Sequence, residues 1–194
     1  MRHKGRVRIG RWPVVVAAAL ATVLPATAQA CRIFIQPRLE DVRFADVVVV
    51  GRITNYRIVR DEEFRRRMLA SPDLSAASRR IYEDPRAGLM SDYARFDIQV
   101  QEVLVGRASR TLSVTWDNST FAEPDHMAGG PYLIALRRPG SASAPPRGPS
   151  GTIFAPADRQ SLTLLQSACS SAFIYEAASE QAGMLRRIIN RQSR

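Results

Sequence analysis

The stretch from Asp46 to Arg60 reads DVVVVGRITNYRIVR, and its reading decides the fold. Four consecutive valines are followed by Gly51 and then by apolar or aromatic residues at Ile53, Tyr56, Ile58 and Val59. β-Branched side chains are stiff about χ1 and fit a pleated surface better than a helix, so the run predicts a long strand, buried first and half-exposed later. A glycine inside such a pattern marks a bulge or bend, the device by which a sheet curls toward a barrel.

Downstream, Tyr93 to Val105 predicts a second strand, because Phe96, Ile98 and Val100 alternate with Asp97, Gln99 and Gln101. The phase then slips into Val103, Leu104 and Val105, which implies a bulge near Gln101 and Glu102. Thr111 to Trp116 predicts a third strand, with Leu112, Val114 and Trp116 on one face. Gly106 to Arg110 is short enough to make the two a hairpin. Tyr132 to Leu136 predicts a short, fully buried strand. A fifth strand region, with Ile153 and Phe154 and then Leu162 to Gln166, leads to Cys169 and the run Phe173-Ile174-Tyr175. Ala177 to Arg191 closes the chain as a helix, with Met184, Leu185, Ile188 and Ile189 recurring at helical spacing.

Three further segments frame these strands. Leu39, Val42 and Phe44 predict a short helix ahead of the central strand. Residues 61–92 form a charged insertion, broken at Pro72 and Pro85, that predicts one or two short helices with Phe64, Met68 and Leu69 docked on the sheet. Residues 137–150 are a Pro-, Gly- and Ser-rich linker. The expected fold is mainly β with flanking helices, a small antiparallel OB-like β-barrel, with a two-sheet β-sandwich as the alternative.

The first thirty residues read as a removable leader. Arg2, Lys4, Arg6, Arg8 and Arg11 form a basic region without any acid, Val14 to Leu24 is apolar, and Pro25 precedes Ala28-Gln29-Ala30. That order is a secretory signal peptide, with an apolar run too short to span a hydrocarbon core of about 30 Å. Processing after Ala30 leaves residues 31–194 as one domain, beginning at Cys31, and predicts a periplasmic or secreted protein with no transmembrane segment. In an oxidising compartment Cys31 and Cys169 most simply form a disulfide, worth about 4 to 5 kcal/mol for so long a loop in the loop-entropy model. Acylation of Cys31 and a lipid-anchored protein is the alternative; the Ala-x-Ala site suits ordinary signal peptidase better.

The leader carries five of the 28 cations and none of the 18 acids, so the formal charge of +10 falls to 23 − 18 = +5 on processing. The remaining arginines are scattered among acids or paired without interleaved aromatics, which reads as a solvated surface and not as a nucleic-acid face.

With these segments in place the chain resembles a known family. Cys31 at the processed N-terminus, Phe44-Ala45-Asp46 running into Val47 to Gly51, Val100 to Gly106 (VQEVLVG), Gly130 to Leu136 (GPYLIAL) and Cys169 are similar to the netrin-like domain shared with tissue inhibitors of metalloproteases. The resemblance implies an OB-fold barrel with flanking helices. It also implies a metalloprotease-inhibitor reading, in which the amino group and carbonyl of Cys31 would chelate a protease's zinc. Residue 33 is isoleucine here, where those inhibitors carry a second cysteine.

Catalytic signals are sparse. Residues 31–194 contain one histidine, His126, and no G-x-S-x-G, H-E-x-x-H, phosphate loop or C-x-x-C motif. Asp117, Glu123, Asp125 and His126 offer oxygen and imidazole ligands, but their spacing matches no established metal loop. The sequence therefore predicts no cofactor, no metal and no nucleic-acid partner. It points to a non-catalytic binding module for a protein or envelope component, with two candidate surfaces: the insertion at residues 61–92, and Trp116, Asp117, Asn118, Phe121 and His126 around one polar loop. A secreted hydrolase centred on His126 is the alternative.

Overall fold

The computed structural model describes residues 36–89, 91–117, 124, 126–141, 158, 160–166 and 170–192. The leader, Cys31, Cys169, Ile153, Phe154 and most of the linker lie outside the described residues. A 3-10 helix at Leu39–Phe44 leads into β1 (Val47–Val59), followed by α1 (Glu62–Leu69) and α2 (Ala76–Glu83). Then come β2 (Tyr93–Val105), β3 (Thr111–Asp117), β4 (Tyr132–Arg137), β5 (Leu162–Leu164), β6 (Ile174–Glu176) and α3 (Glu180–Gln192).

The sheet runs β1-β2-β3-β5-β4 and closes on itself through β1–β4 pairing, so the barrel forms and the sandwich alternative is excluded. β6 adds to β4 beside β5, pairing Leu133 with Tyr175. One expectation is corrected: the barrel is mixed, because β3 and β5 run parallel, with Val114 opposite Leu162. A closed ring of five strands cannot alternate direction all the way round, so at least one neighbouring pair must be parallel.

The four valines are buried on both sides of the sheet. Val47 and Val49 point into the barrel with Phe96, Ile98, Val114 and Ile134. Val48 and Val50 point out, into a second core with Leu133, Phe173, Leu185 and Ile189, which seats α3. A continuous apolar run is the expected signature of a strand covered on both faces.

β1 coils around the barrel through three irregularities of its pairing with β2. Val48 faces Val105 while Val49 faces Val103, and Val50 faces Glu102 while Gly51 faces Val100. The second step leaves Gln101 as the extra residue, which is the bulge the phase slip predicted. The third puts Asn55 and Tyr56 against Phe96 alone.

The insertion departs from expectation in its packing. Two short helices form, capped by Asp61 and Ser75, whose side chains accept the N–H groups of Phe64 and Ser78. They pack chiefly on one another, with Phe64 edge-on to Tyr82 at 6.1 Å. Met68 and Leu69 are only half-buried, and the side chain α1 buries is Arg65, paired with Asp92. Among the described residues no helix is long and apolar enough to cross a membrane.

Candidate binding face

The sequence-predicted surface residues disperse. Trp116 is a core residue, 9% exposed, whose indole Nε1–H donates to Gln166 Oε1 at 3.1 Å. Its ring fills the barrel and is not presented to solvent. Asp117 is half-buried at the end of β3, opposite Tyr93, and His126 is exposed on the approach to β4. Asn118, Phe121, Glu123 and Asp125 lie outside the described residues, as do Cys31 and Cys169. Tyr132 belongs to the barrel core, and Tyr56 packs against it while its hydroxyl donates to the Pro124 carbonyl.

What the structure does assemble is the outer face of β1, β2 and β3. Ala94, Phe96 and Ile98 of β2 point inward, so Tyr93, Arg95, Asp97 and Gln99 point out. Strand register sets four rows: Val59, Tyr93 and Asp117; Arg57, Arg95 and Thr115; Thr54, Asp97 and Ser113; Arg52, Gln99 and Thr111. Arg52 donates from Nη1 to the Gly130 carbonyl at 3.1 Å, which ties the loop before β4 to the edge of this face. The Ile53 N–H donates to the Gly129 carbonyl at 2.9 Å beside it.

Asp97 is the organised centre. Asn55 adopts φ +56 at the third irregularity, a left-handed conformation that asparagine tolerates better than most residues. From there its Nδ2 donates to Asp97 Oδ2 at 2.8 Å, and Ser113 Oγ donates to Asp97 Oδ1 at 3.0 Å. The Asn55 bond foremost holds the Asp97 carboxyl below its ordinary pKa; burial, next in size, opposes it, and Ser113 and the fields of Arg57 and Arg95 add to the lowering. Asp158, brought over the face by the β4–β5 connection, lies 3.8 Å from Arg95 Nη1. It accepts from Ser161 Oγ at 2.6 Å and the Gln160 N–H at 2.9 Å, which likewise lower its pKa.

Asn55→Gly tests the Asp97 arrangement, because glycine keeps the left-handed backbone and removes the amide. Asp97 should titrate at higher pH in this variant, followed by carboxyl NMR, and Ser113→Ala should move it less. A folded pKa held below the unfolded value contributes stability above the unfolded pKa that is lost as pH falls through the folded one. The acid-side loss of stability should therefore shrink in Asn55→Gly. An unmoved Asp97 would show that the amide bond does not form.

The residues of this face went unread in the sequence, where Asn55 in a β-branched run was the available signal. No family model matches the chain, and no curated protein matches it. The functional reading therefore rests on the barrel and its outer face.

Proposed function

We propose that the chain is an exported, non-catalytic binding module of netrin-like type that engages a protein or envelope component. The observation that carries this reading is the outer face, where Arg57 and Arg95 stand opposite one another beside a carboxylate fixed by Asn55 and Ser113. A rigid sheet presenting fixed polar groups suits recognition, and OB-like barrels use this side of the fold for ligands. The α1–α2 insertion borders the same end of β1 and β2 and leaves Ile81 52% exposed, a second surface for contact. The leader and Cys31 support an extracytoplasmic address, with a Cys31–Cys169 bridge in the working protein.

Protein produced from the full chain tests both parts. Its intact mass should equal residues 31–194 less two hydrogens; an acyl adduct on Cys31 replaces the bridge by a lipid anchor. Immobilised protein should retain an envelope component that is lost in the double variant Arg57→Glu/Arg95→Glu or in Ile81→Glu. Retention of nothing, or identical retention by parent and both variants, removes the reading.

A further inference from the structure

Arg57 and Arg95 are direct cross-strand partners. Both point away from the barrel, since Tyr56 and Ile58 on β1 and Ala94 and Phe96 on β2 pack against the interior. Opposed residues of an antiparallel pair hold their Cβ atoms about 4.5 to 5.5 Å apart, and like charges so placed repel. Among the described residues no carboxylate forms an ion pair with both. Arg57 is exposed and forms no ion pair among the described residues. Asp97 lies in the next row with each oxygen already accepting a hydrogen bond, so it tempers the pair from a distance. Asp158 approaches Arg95 only to 3.8 Å, longer than a hydrogen bond. With Arg52, the face sets three guanidiniums beside three carboxylates, those of Asp97, Asp158 and, opposite Tyr93, Asp117, and Arg57 and Arg95 are its one pair of like charges placed directly opposite.

Resting on the binding-module reading, we propose that this face binds an acidic polysaccharide, with one sugar carboxylate bridging Arg57 and Arg95. A guanidinium presents its donors in a planar fork that matches a carboxylate, and two side by side can clamp one. Arg52 stands in the row four residues along β2, about 13 Å away, and meets a later carboxylate of the polymer. Between them Gln99, Thr111 and Ser113 are exposed, offering amide and hydroxyl groups to a hydroxylated chain. Protein interfaces centre on apolar and aromatic anchors, and single-stranded nucleic acids need aromatic platforms. Among the described outward positions Tyr93 is the one aromatic, and it is half-buried.

The test titrates polygalacturonate, its methyl ester, polyglutamate and a single-stranded oligonucleotide into protein produced from the full chain. Polygalacturonate should bind, more weakly as salt rises, and its methyl ester should not. Arg57→Gln and Arg95→Gln should each weaken binding about tenfold or more, as loss of a charge-assisted hydrogen bond does. Their melting temperatures should match or exceed the parent's, because a like-charge pair has been relieved. A lower melting temperature would assign the arginines a structural role and overturn the proposal. So would absent binding, equal binding of the ester, or tighter binding of polyglutamate or the oligonucleotide. If those results came with envelope capture abolished by Ile81→Glu, the binding-module reading would survive without its sugar; if capture failed too, both would fall.

Discussion

Gly51→Ala should lower the melting temperature, whereas Gly88→Ala should hold or raise it. Both exchanges reduce the freedom of the unfolded chain, which alone stabilises by about 0.4 to 1 kcal/mol. The folded states differ. A Cβ at Gly88 would meet nothing within 4 Å. One at Gly51 would stand 2.6 Å from the Gln99 carbonyl oxygen and 2.6 Å from Ile98 Cγ2. The oxygen belongs to backbone held in the β2–β3 pairing, so it cannot swing away as a flexible side-chain end could. Gly51 is also paired on both sides, with Val100 of β2 and Tyr132 of β4, at the point where the barrel closes. Overpacking a tight core costs about 1 to 3 kcal/mol, which exceeds the entropic gain, and Gly51→Val should reach or pass the upper end. Chemical denaturation of the three variants checks this. A Gly51→Ala protein as stable as the parent would mean that β2 does not approach β1 so closely.

Much of this arrangement was legible because its signals are local. The valine run, the strict alternation from Phe96 to Val100 and the slip that follows it specify β1, β2 and the bulge at Gln101, with β1 spanning Val47–Val59 against an expected 46–60. Each follows from which neighbouring side chains face the core. The parallel β3–β5 pair was not legible, since it comes from closing an odd ring and leaves no mark on Leu162 to Leu164. The burial of Arg65 was hidden for a related reason. In EEFRRRML its neighbours Arg66 and Arg67 are exposed, and the partner that draws it inward, Asp92, lies across the whole insertion. The outer face depends on Arg57 and Arg95 meeting across two strands, and a two-residue irregularity at Asn55 sets that register. Trp116 carries two signals, a polar loop beside it that makes it a surface candidate and a strand phase shared with Leu112 and Val114, and the phase decides: all three lie in the core.

The second large effect is expected at Asp92, the acceptor that closes the neck of the insertion. Its side chain is 4% exposed and that of Arg65 5%. Asp92 Oδ1 accepts the Asp61 N–H at 2.9 Å, where the insertion begins. Oδ2 accepts the Leu89 N–H at 2.8 Å and Arg65 Nη2 at 2.9 Å, where it ends. Arg65 Nη2 also donates to the Ala87 carbonyl at 2.8 Å. Breaking one member of a buried pair costs about 3 to 5 kcal/mol, chiefly because the other charge is left uncompensated. The two halves are unequal here. Asp92→Asn leaves the Arg65 cation with one carbonyl and turns an amide donor toward groups that are themselves donors. Arg65→Met leaves the Asp92 carboxylate with two backbone N–H partners, so it should cost less. A double replacement by apolar residues should recover only part of the loss, since the N–H groups of Asp61 and Leu89 lose their acceptor, at about 1 to 3 kcal/mol for each left buried and unpaired. The damage should begin locally, because α1 and α2 pack mainly on each other while the barrel has its own core. In Asp92→Asn, amide exchange should accelerate across residues 61–92 while Phe96 and Ile98 keep their protection. Equal loss of protection at Phe96 would show that the insertion and barrel unfold as one unit, and a larger cost for Arg65→Met than for Asp92→Asn would mean that the backbone bonds to Asp92 do not hold the neck.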